Sequence, residues 1–570
     1  MNLNVKSKFG LRSASEKNVL FVSLLSMLLF VSLLSCSVLV VVGADAAVMD
    51  EPELNAAITS APLGVSTVVT LGKDITLTGA LSIISGKNIT LVSDGTSEFK
   101  LVGVNDESTI SVESGGILFL NGIVVTHVTN EVGSGVTVAS GGNFTLLSGK
   151  IFGNTDADGG GVVNDGNFTM SGGAVLNNTG VMGGVVNNGN FTLSGNGVIT
   201  NNTVIVDEDG DVYGGVLNTG VFRMSGGEIS NNTACGVSNF GNFTMSGGKI
   251  LKNIGNGVFI NHDGNFTMTG GEISYNKAEF GGGVYIDSSF GVGTFIMSGG
   301  SILNNSATLY GGGVYNSGDC SFSMSSNAMI ANNTASSGGG VYTVGAFTMS
   351  GGEISNNTVA AYGGGVYNYY GKFSMTNGKI VKNVAAIDGG GVFSYAGNFT
   401  VSGSSEISYN TANRNGGGIG VPGIEGLSYV YVREGVTFSN NRAATAYNRA
   451  PTHDALYDSR VSSNKWTSPF TQGYNNYDIY YISGTQVDPE TGKPITSPSP
   501  SPTNSPSGTP RPPASTPPGS SPKDPSFNWF AVAIVLAIVV GLLVAVLFFY
   551  RPKKATKQVI EEDLSDFTVV

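Results

Sequence analysis

Charge, cysteine and histidine are scarce in this sequence. Only 12% of the 570 residues are charged, and 28 Lys and Arg against 40 Asp and Glu leave a formal net charge of −12. An acidic chain without a basic stripe argues against nucleic acid as a partner. The three cysteines, Cys36, Cys235 and Cys320, are too few for a disulfide scaffold. Cys235 and Cys320 are therefore expected to be isolated small residues without a functional thiol.

Helical spacing of apolar residues is also missing, and a short repeat takes its place. One unit contains three apolar steps, Phe266-x-Met268, Ile273 and Val284, separated by Gly, Asn and Ser. Alternation with period two is typical of strands, and the Gly-Gly and Asn-Asn pairs indicate turns. The aromatic residue of the first step recurs every 21 to 31 residues, at Phe144, Phe168, Phe191, Phe222, Phe243, Phe266, Phe295, Phe322, Phe347, Phe373 and Phe399.

Three short strands per unit and no helix predict an all-β fold, the parallel β-helix solenoid. One coil cannot bury its apolar face alone, whereas stacked coils share a continuous core. Like residues should then stack on like, with Ile229 over Ile250 over Ile273. Leucine-rich repeats need Leu at several fixed positions and propeller blades need about 40 residues or more, so both fit this period less well. Asn pairs and Gly triplets are expected to take left-handed turn geometry.

The segments outside the repeat predict export and a membrane anchor. Residues 1–46 have the basic, apolar and small-residue order of a signal peptide, although the apolar run is long enough to be an uncleaved anchor instead. The apolar run 527–550 predicts a transmembrane helix, and the basic residues after it place the tail 551–570 in the cytoplasm. The expected location is the cell membrane, single-pass, with the repeat domain extracellular.

Between these segments the chain divides by composition. Residues 47–140 are expected to hold an N-terminal cap helix and irregular first coils, residues 141–415 the regular repeats, and residues 416–484 the last coils and a C-terminal cap. Residues 485–526 are rich in Pro, Ser and Thr, which predicts an extended stalk.

Three sequence steps carry a resemblance: GNFTMSGGKILKN (Gly241 to Asn253), GGGVYN (Gly363 to Asn368) and YNNYDI (Tyr474 to Ile479). They are similar to the adhesin-like right-handed parallel β-helix surface proteins of archaea and bacteria, which resemble pectate lyases in fold. The resemblance covers roughly residues 65–482. It implies a right-handed β-helix at the cell surface, and it implies no particular ligand.

Enzymatic residues are not evident in the repeat. A pectate-lyase-like enzyme would need carboxylates clustered with Arg or Lys on one face. The outward positions instead carry Thr, Ser, Tyr and isolated charges, and His127, His262 and His453 are far apart. We therefore expect a non-enzymatic surface protein, with no catalytic residue, that contacts cells or polysaccharide. A surface polysaccharide lyase or glycoside hydrolase is the alternative, and a structural component of the cell envelope is the second alternative.

The densest charge cluster is an acidic stretch in an enlarged coil. Asp207, Asp209 and Asp211 alternate there and could offer oxygen ligands to Ca²⁺. The positions that correspond to the glycine and the bidentate glutamate of an EF-hand are Val212 and Asn218, so a solvated loop is the other interpretation. No other cofactor is expected.

An aromatic residue follows the Val of the third step in six consecutive coils. Because Val points into the core, the next residue points outward. We expect an exposed aromatic track about 24 Å long that stacks sugar rings or receives a partner, unless the rings only stiffen the sheet. The candidate ligand-binding residues are Phe259, Tyr285, Tyr315, Tyr342, Tyr367 and Phe393.

Asn-x-Ser/Thr sequons also recur with the repeat, which makes the chain a candidate glycoprotein. They begin at Asn88, Asn143, Asn167, Asn177, Asn190, Asn201, Asn231, Asn242, Asn265, Asn304, Asn332, Asn356 and Asn398. Most arise from the Phe-Thr and Asn-Asn-Thr steps, so the repeat alone also accounts for them.

Overall fold

The chain folds as a parallel β-helix, seen in a computed structural model that describes residues 47–95, 97–104, 106–205, 213–448, 460–462 and 465–495. The predicted signal peptide, transmembrane helix and cytoplasmic tail lie outside these residues, as do Asp207, Asp209, Asp211 and the stalk beyond residue 495. Within the described ranges, no helix is long and apolar enough to cross a membrane.

Three long parallel sheets follow the three apolar steps of the repeat, and we name them the Phe, Ile and Val sheets. The Phe and Ile sheets are joined by strands that run through both: Val221–Ser230, Asn242–Leu251, Ala346–Ser355 and Lys372–Val381. The other strands of the Phe sheet are Ser66–Leu71, Asn88–Ser93, Ile117–Asn121, Asn143–Leu146, Asn167–Met170, Asn190–Leu193, Asn265–Met268, Thr294–Met297, Ser321–Met324, Asn398–Val401 and Val430–Val432.

The Ile sheet is completed by one strand from each remaining coil. These strands are Ile75–Thr76, Lys100–Gly103, Ile123–His127, Gly149–Phe152, Ala174–Leu176, Val198–Thr200, Glu272–Ser274, Ser301–Leu303, Met329–Ala331, Glu406–Ser408 and Thr437–Ser439.

The Val sheet contains 14 strands. They are Leu81–Ile83, Ile110–Val112, Val136–Val138, Val162–Asn164, Val185–Asn187, Gly214–Asn218, Cys235–Asn239, Val258–Ile260, Val284–Ile286, Val314–Asn316, Val341–Thr343, Val366–Tyr369, Val392–Tyr395 and Ile419–Gly420. The prediction of three short strands per coil is therefore confirmed.

Some coils add a fourth strand of two to five residues between the Ile and Val sheets, which was not predicted. These strands form two small parallel sheets, Thr155–Asp156 with Thr179–Gly180 and Thr203–Val204, and Lys277–Phe280 with Ser306–Tyr310, Thr334–Ala335, Thr358–Val359, Val384–Ala385 and Thr411–Ala412.

The core is built from columns of identical residues, as the period predicts. The eleven Phe rings from Phe144 to Phe399 stack with centroids 4.6 to 4.9 Å apart and planes within 9° of parallel. This distance is the spacing between strands, so each ring lies directly over the next. Ile229, Ile250 and Ile273 pair in register and are fully buried.

A buried ladder of side-chain amides runs beside the Ile sheet. Asn333 is a typical member: its Nδ2 donates to the carbonyl of Ile302 at 3.0 Å and to Oδ1 of Asn357 in the next coil at 3.1 Å. Its own Oδ1 accepts from the backbone N and the Nδ2 of Asn305. The ladder comprises Asn154, Asn178, Asn202, Asn232, Asn253, Asn276, Asn305, Asn333, Asn357, Asn383, Asn410 and Asn441.

At each end of this ladder, the last amide contacts a polar side chain that is not itself an amide. His127 Nδ1 lies 3.0 Å from the Oδ1 of Asn154, the first amide, while the His127 Nε2 donates to the carbonyl of Glu107. The Nδ2 of the last amide, Asn441, donates to a carboxylate oxygen of Asp478 at 3.1 Å. Burial raises the pKa of Asp478, although hydrogen bonds from Thr467 and other donors oppose that shift.

The turns differ from the prediction, because the residues of an Asn pair or a Gly triplet do not all take the left-handed conformation. In each Asn pair after the Ile sheet the first residue takes the left-handed conformation, as Asn332 does with φ of 57°, and the second residue forms the ladder. Likewise, in the triplets from Gly281 onward only the first glycine has positive φ, as Gly311 does with 69°. The second is needed for space, because a Cβ on Gly312 would lie 2.5 Å from the carbonyl oxygen of Thr334.

Both ends of the solenoid are covered. The predicted N-terminal helix, α1, spans Glu51–Ser60, is capped by the Asp50 side chain and buries Leu54 and Ile58. At the other end, Thr485–Val487 pairs antiparallel with Ala446–Asn448 and buries Val487. The folded region therefore extends beyond residue 484, where the stalk was predicted to begin, because Val487 packs against the cap.

Candidate contact surface

The six predicted aromatics form one column on the outer surface of the Val sheet. The Val before each is fully buried, and the aromatics pair in register from one coil to the next. The predicted outward direction is therefore confirmed. We call this set the aromatic column: Phe259, Tyr285, Tyr315, Tyr342, Tyr367 and Phe393.

The predicted exposure of this column is wrong for half of its members. Tyr342, Tyr367 and Phe393 are only 4%, 8% and 3% exposed. Phe259, Tyr285 and Tyr315 are half-buried. Outward direction did not lead to exposure because other aromatic side chains cover the column.

These covering rings come from strand ends and turns on either side of the column. Tyr310 stacks on Tyr342 with centroids 4.6 Å apart, and Tyr362 lies 4.8 Å from Phe393. On the far side, Tyr369 lies 5.9 Å from Tyr367. The full covering set is Phe280, Tyr310, Tyr362, Tyr369, Tyr370 and Tyr395, and together with the aromatic column it forms what we call the aromatic face.

Sequence reasoning missed the covering set, although a signal was present. Phe280, Tyr310 and Tyr362 each stand directly before a Gly triplet, so they recur at one position of the repeat. Tyr369 and Tyr395 both end a strand of the Val sheet and are stacked, with centroids 5.4 Å apart.

Ring contacts continue along the solenoid without a break. From Tyr213 through Phe240 to Phe259 and then down the column to Phe393, neighbouring centroids are 4.9 to 6.3 Å apart. Most of these contacts are tilted or edge-on, a favourable geometry for aromatic pairs. The face is therefore a packed aromatic layer and not a row of parallel open rings.

The part of this layer open to solvent lies along its margin. Tyr370 is 59% exposed and contacts both Tyr369 and Tyr395. Nearer the N-terminus, Phe290 is 68% exposed and stacks on His262 with centroids 5.3 Å apart. Exposed rings held in place by neighbouring rings provide apolar contact area of fixed orientation.

Besides the tyrosine hydroxyls, charged groups contact the aromatic face near its two ends. The Tyr285 hydroxyl donates to the Asp287 carboxylate at 3.1 Å. At the C-terminal end the Arg414 guanidinium makes two hydrogen bonds to the buried Asp388 carboxylate, which hold the pKa of Arg414 above its ordinary value. Burial, followed by neighbouring tyrosines, raises the pKa of Tyr342 well above 10.0, so its phenol is neutral at physiological pH.

The predicted sequons fall into two files on the solenoid. Seven asparagines begin strands of the Phe sheet: Asn88, Asn143, Asn167, Asn190, Asn242, Asn265 and Asn398. Six occupy the turn after the Ile sheet: Asn177, Asn201, Asn231, Asn304, Asn332 and Asn356. Asn88, Asn143 and Asn304 are half-buried and the other ten are exposed.

The described residues contain no group of three or more His, Cys, Asp or Glu side chains arranged to hold a metal ion. The predicted calcium ligands Asp207, Asp209 and Asp211 are outside those residues, so calcium binding there stays a prediction. Cys235 and Cys320 are both free and buried, and burial raises the pKa of the Cys235 thiol to about 11.

Fold and surface together define a parallel β-helix protein with an aromatic face on its Val sheet. Comparison of the chain with protein-family models, with curated proteins and with solved structures finds no match.

Proposed function

We propose that this chain is a non-enzymatic, adhesin-like surface protein, anchored in the cell membrane by residues 527–550. Its β-helix, right-handed as the sequence resemblance implies, presents the aromatic face to polysaccharide or to another cell. The observation that carries the proposal is the aromatic face itself, in which the exposed ring of Tyr370 contacts the half-buried Tyr369, and Tyr369 contacts the buried Tyr367.

Three features of the face suit a carbohydrate or a protein surface. Aromatic rings offer apolar contact at low entropic cost because they have few rotatable bonds. The rings are held by their neighbours, so little ordering is needed on binding. Half-buried tyrosines such as Tyr310 and Tyr362 also bring hydroxyl groups to the edge of the apolar area.

The sequence motifs support the surface location. Their resemblance to adhesin-like proteins implies a place outside the cell, as do the predicted signal peptide at residues 1–46 and the predicted transmembrane helix at 527–550. The resemblance implies no ligand, so the proposed partner class is argued from the face alone.

The test is binding of the purified full-length chain to a glycan array and to insoluble polysaccharides, with release of product assayed in the same samples. We expect binding without cleavage. Cleavage would replace the proposal with the lyase or hydrolase alternative. Neither binding nor cleavage, on glycans or on cells, would favour the structural envelope component.

Variants locate the binding surface. Tyr310→Ser with Tyr370→Ser removes two rings from the aromatic face, and we expect affinity to fall about tenfold or more, as for aromatic anchors in other interfaces. The chain offers a matched control in Tyr275→Ser with Tyr409→Ser. These two tyrosines are each 52% exposed but lie in the turn after the Ile sheet. Equal losses from both pairs would contradict the assignment to the aromatic face.

A further inference from the structure

The sequons that begin Phe-sheet strands are interrupted in four consecutive coils. The first residues of these strands pair in register through the stack, so they form one file on one edge of the solenoid. Asn stands in this file with a sequon at Asn242, Asn265 and Asn398. In the four coils between the last two it is replaced, by Thr294, Ser321, Ala346 and Lys372.

The interruption coincides with the tyrosines of the aromatic column. Tyr285, Tyr315, Tyr342 and Tyr367 are each followed, at the next Phe-sheet strand, by one of the four replaced positions. The regular coils with another residue in the column are those of Val163, Val186, Leu217, Ser238, Phe259 and Phe393, and all except that of Leu217 are followed by a sequon.

A second file of sequons shows that these coils do not avoid sequons in general. Asn304, Asn332 and Asn356 lie in the turn after the Ile sheet, within the same stretch of the solenoid, and each begins a sequon. The same turn position holds Lys382 in the fourth of these coils, and it holds Lys252, Tyr275 and Tyr409 in coils whose Phe-sheet strand does begin with a sequon. The two files therefore lose sequons in largely different coils, so the loss in one file does not simply follow the loss in the other.

The interrupted file borders the aromatic face directly. The backbone carbonyl of Ala346 accepts a hydrogen bond from Asn316, the residue after Tyr315, at 2.9 Å. Val344, two residues before Ala346, packs against the aromatic cluster around Tyr342. A sugar chain at position 346 would therefore start at the margin of the face and is large enough to cover it.

We propose that Asn-linked glycans coat both files and that the missing asparagines leave a bare window over the tyrosines of the aromatic face. The window is about 24 Å long, at five strand spacings from Asn265 to Asn398. In the modification the asparagine Nδ2 loses a proton to a base and forms a C–N bond to the anomeric carbon of a sugar. The co-reactant is a lipid-linked oligosaccharide, whose phosphate-bearing lipid leaves with the bonding electrons.

This inference rests on the proposed function, because a bare window matters only if the face contacts a partner. It adds that the solenoid is shielded on two edges and open on one. It also gives one reason for all four replacements. The chemistry of Thr, Ser, Ala and Lys does not supply such a reason, because these side chains have little in common.

The test introduces an asparagine at one of the four replaced positions. Ala346→Asn completes a sequon with Thr348 at an exposed position that pairs in register with the polar residues Ser321 and Lys372. The full-length chain is expressed in a host with an Asn-glycosylation machinery, site occupancy is measured by glycopeptide mass spectrometry, and oxidative footprinting reports the exposure of Tyr310 and Tyr370. Ala346→Gln is the control, because it adds an amide of similar size without a sequon.

We expect glycan on both files of the wild-type chain, glycan at position 346 in Ala346→Asn, and loss of footprinting and of polysaccharide binding in that variant alone. A wild-type chain without glycan on either file would overturn the proposal, as would a glycosylated variant with an unchanged footprint. An unmodified Ala346→Asn chain whose Asn265 is modified would also count against it. Occupancy and footprint do not depend on a ligand, so a chain that binds neither glycans nor cells would refute the proposed function, whereas occupancy and footprint would still decide this inference.

Discussion

Removing one amide from the buried ladder should destabilise the solenoid locally and strongly. In Asn333→Ala, the backbone N–H and one Nδ2 hydrogen of Asn305 lose their acceptor, and the carbonyl of Ile302 loses its donor. The backbone N–H of residue 333 keeps its bond to Asn357. Three buried polar groups are thus left without their protein partner.

Each such group costs about 1–3 kcal/mol, so the free energy of unfolding should fall by about 3–9 kcal/mol. The loss should lie near the lower end if a water occupies the space that the amide leaves. Asn333→Asp should cost more at neutral pH, because it places a carboxylate oxygen against the carbonyl of Ile302. Acid should relieve part of that extra loss by allowing the carboxyl group to donate.

The assay combines denaturant unfolding with hydrogen exchange measured by mass spectrometry. Because each coil contacts only its neighbours, faster exchange should be confined to the coils that contain Asn305, Asn333 and Asn357. The matched control is Asn332→Gly, which changes the exposed left-handed residue next door and should cost little. Equal effects of both substitutions, or unchanged exchange in Asn333→Ala, would refute the account of the ladder.

Three further predictions concern the cap, the aromatic face and the thiols. Lys87→Met removes two hydrogen bonds, of 2.6 and 2.5 Å, from a buried ammonium to the end of α1. The free energy of unfolding should therefore fall by about 2 kcal/mol. Hydrogen exchange should also be faster in α1. Because the pKa of Tyr342 is raised in the folded chain, its neutral phenol contributes stability in full below pH 10.0, and that contribution should be lost as the pH rises through the raised value, measured as unfolding midpoints against pH. Cys235 and Cys320, with raised pKa values, should react with thiol reagents at neutral pH only after denaturation, measured by peptide mapping.

The core of this fold could be predicted because it depends on residue identity at a constant period. Phe recurs at one position, and parallel coils in register then place ring on ring. The different roles of the two residues in an Asn pair could not be predicted from the Asn-Asn-Thr steps, because both positions hold the same residue. The coils with Lys252-Asn253 and Tyr275-Asn276 distinguish them: only the second Asn is retained, and only the second lies in the ladder.

For the candidate site, the sequence predicted the direction of the aromatic side chains but not their exposure. Strand alternation correctly placed Tyr342 and Tyr367 on the outer side of the Val sheet, because it depends on the sequence of a single strand. Their burial depends on Tyr310, Tyr362 and Tyr369, which lie at strand ends or in turns, where the period does not specify the side-chain direction. The exposure of the column therefore could not be predicted without the structure, although the recurrence of covering rings before the Gly triplets is visible in the sequence.

The central claim is that the aromatic face, and no other side of the β-helix, contacts the partner. The most direct measurement is photo-crosslinking from a benzoylphenylalanine introduced at position 370 on the face, compared with one at position 353 on the outer side of the Ile sheet. With the full-length chain bound to the polysaccharide or cells that it recognises, we predict crosslinks from position 370 and none from 353. Crosslinks from position 353 alone, or equally from both, would contradict the claim.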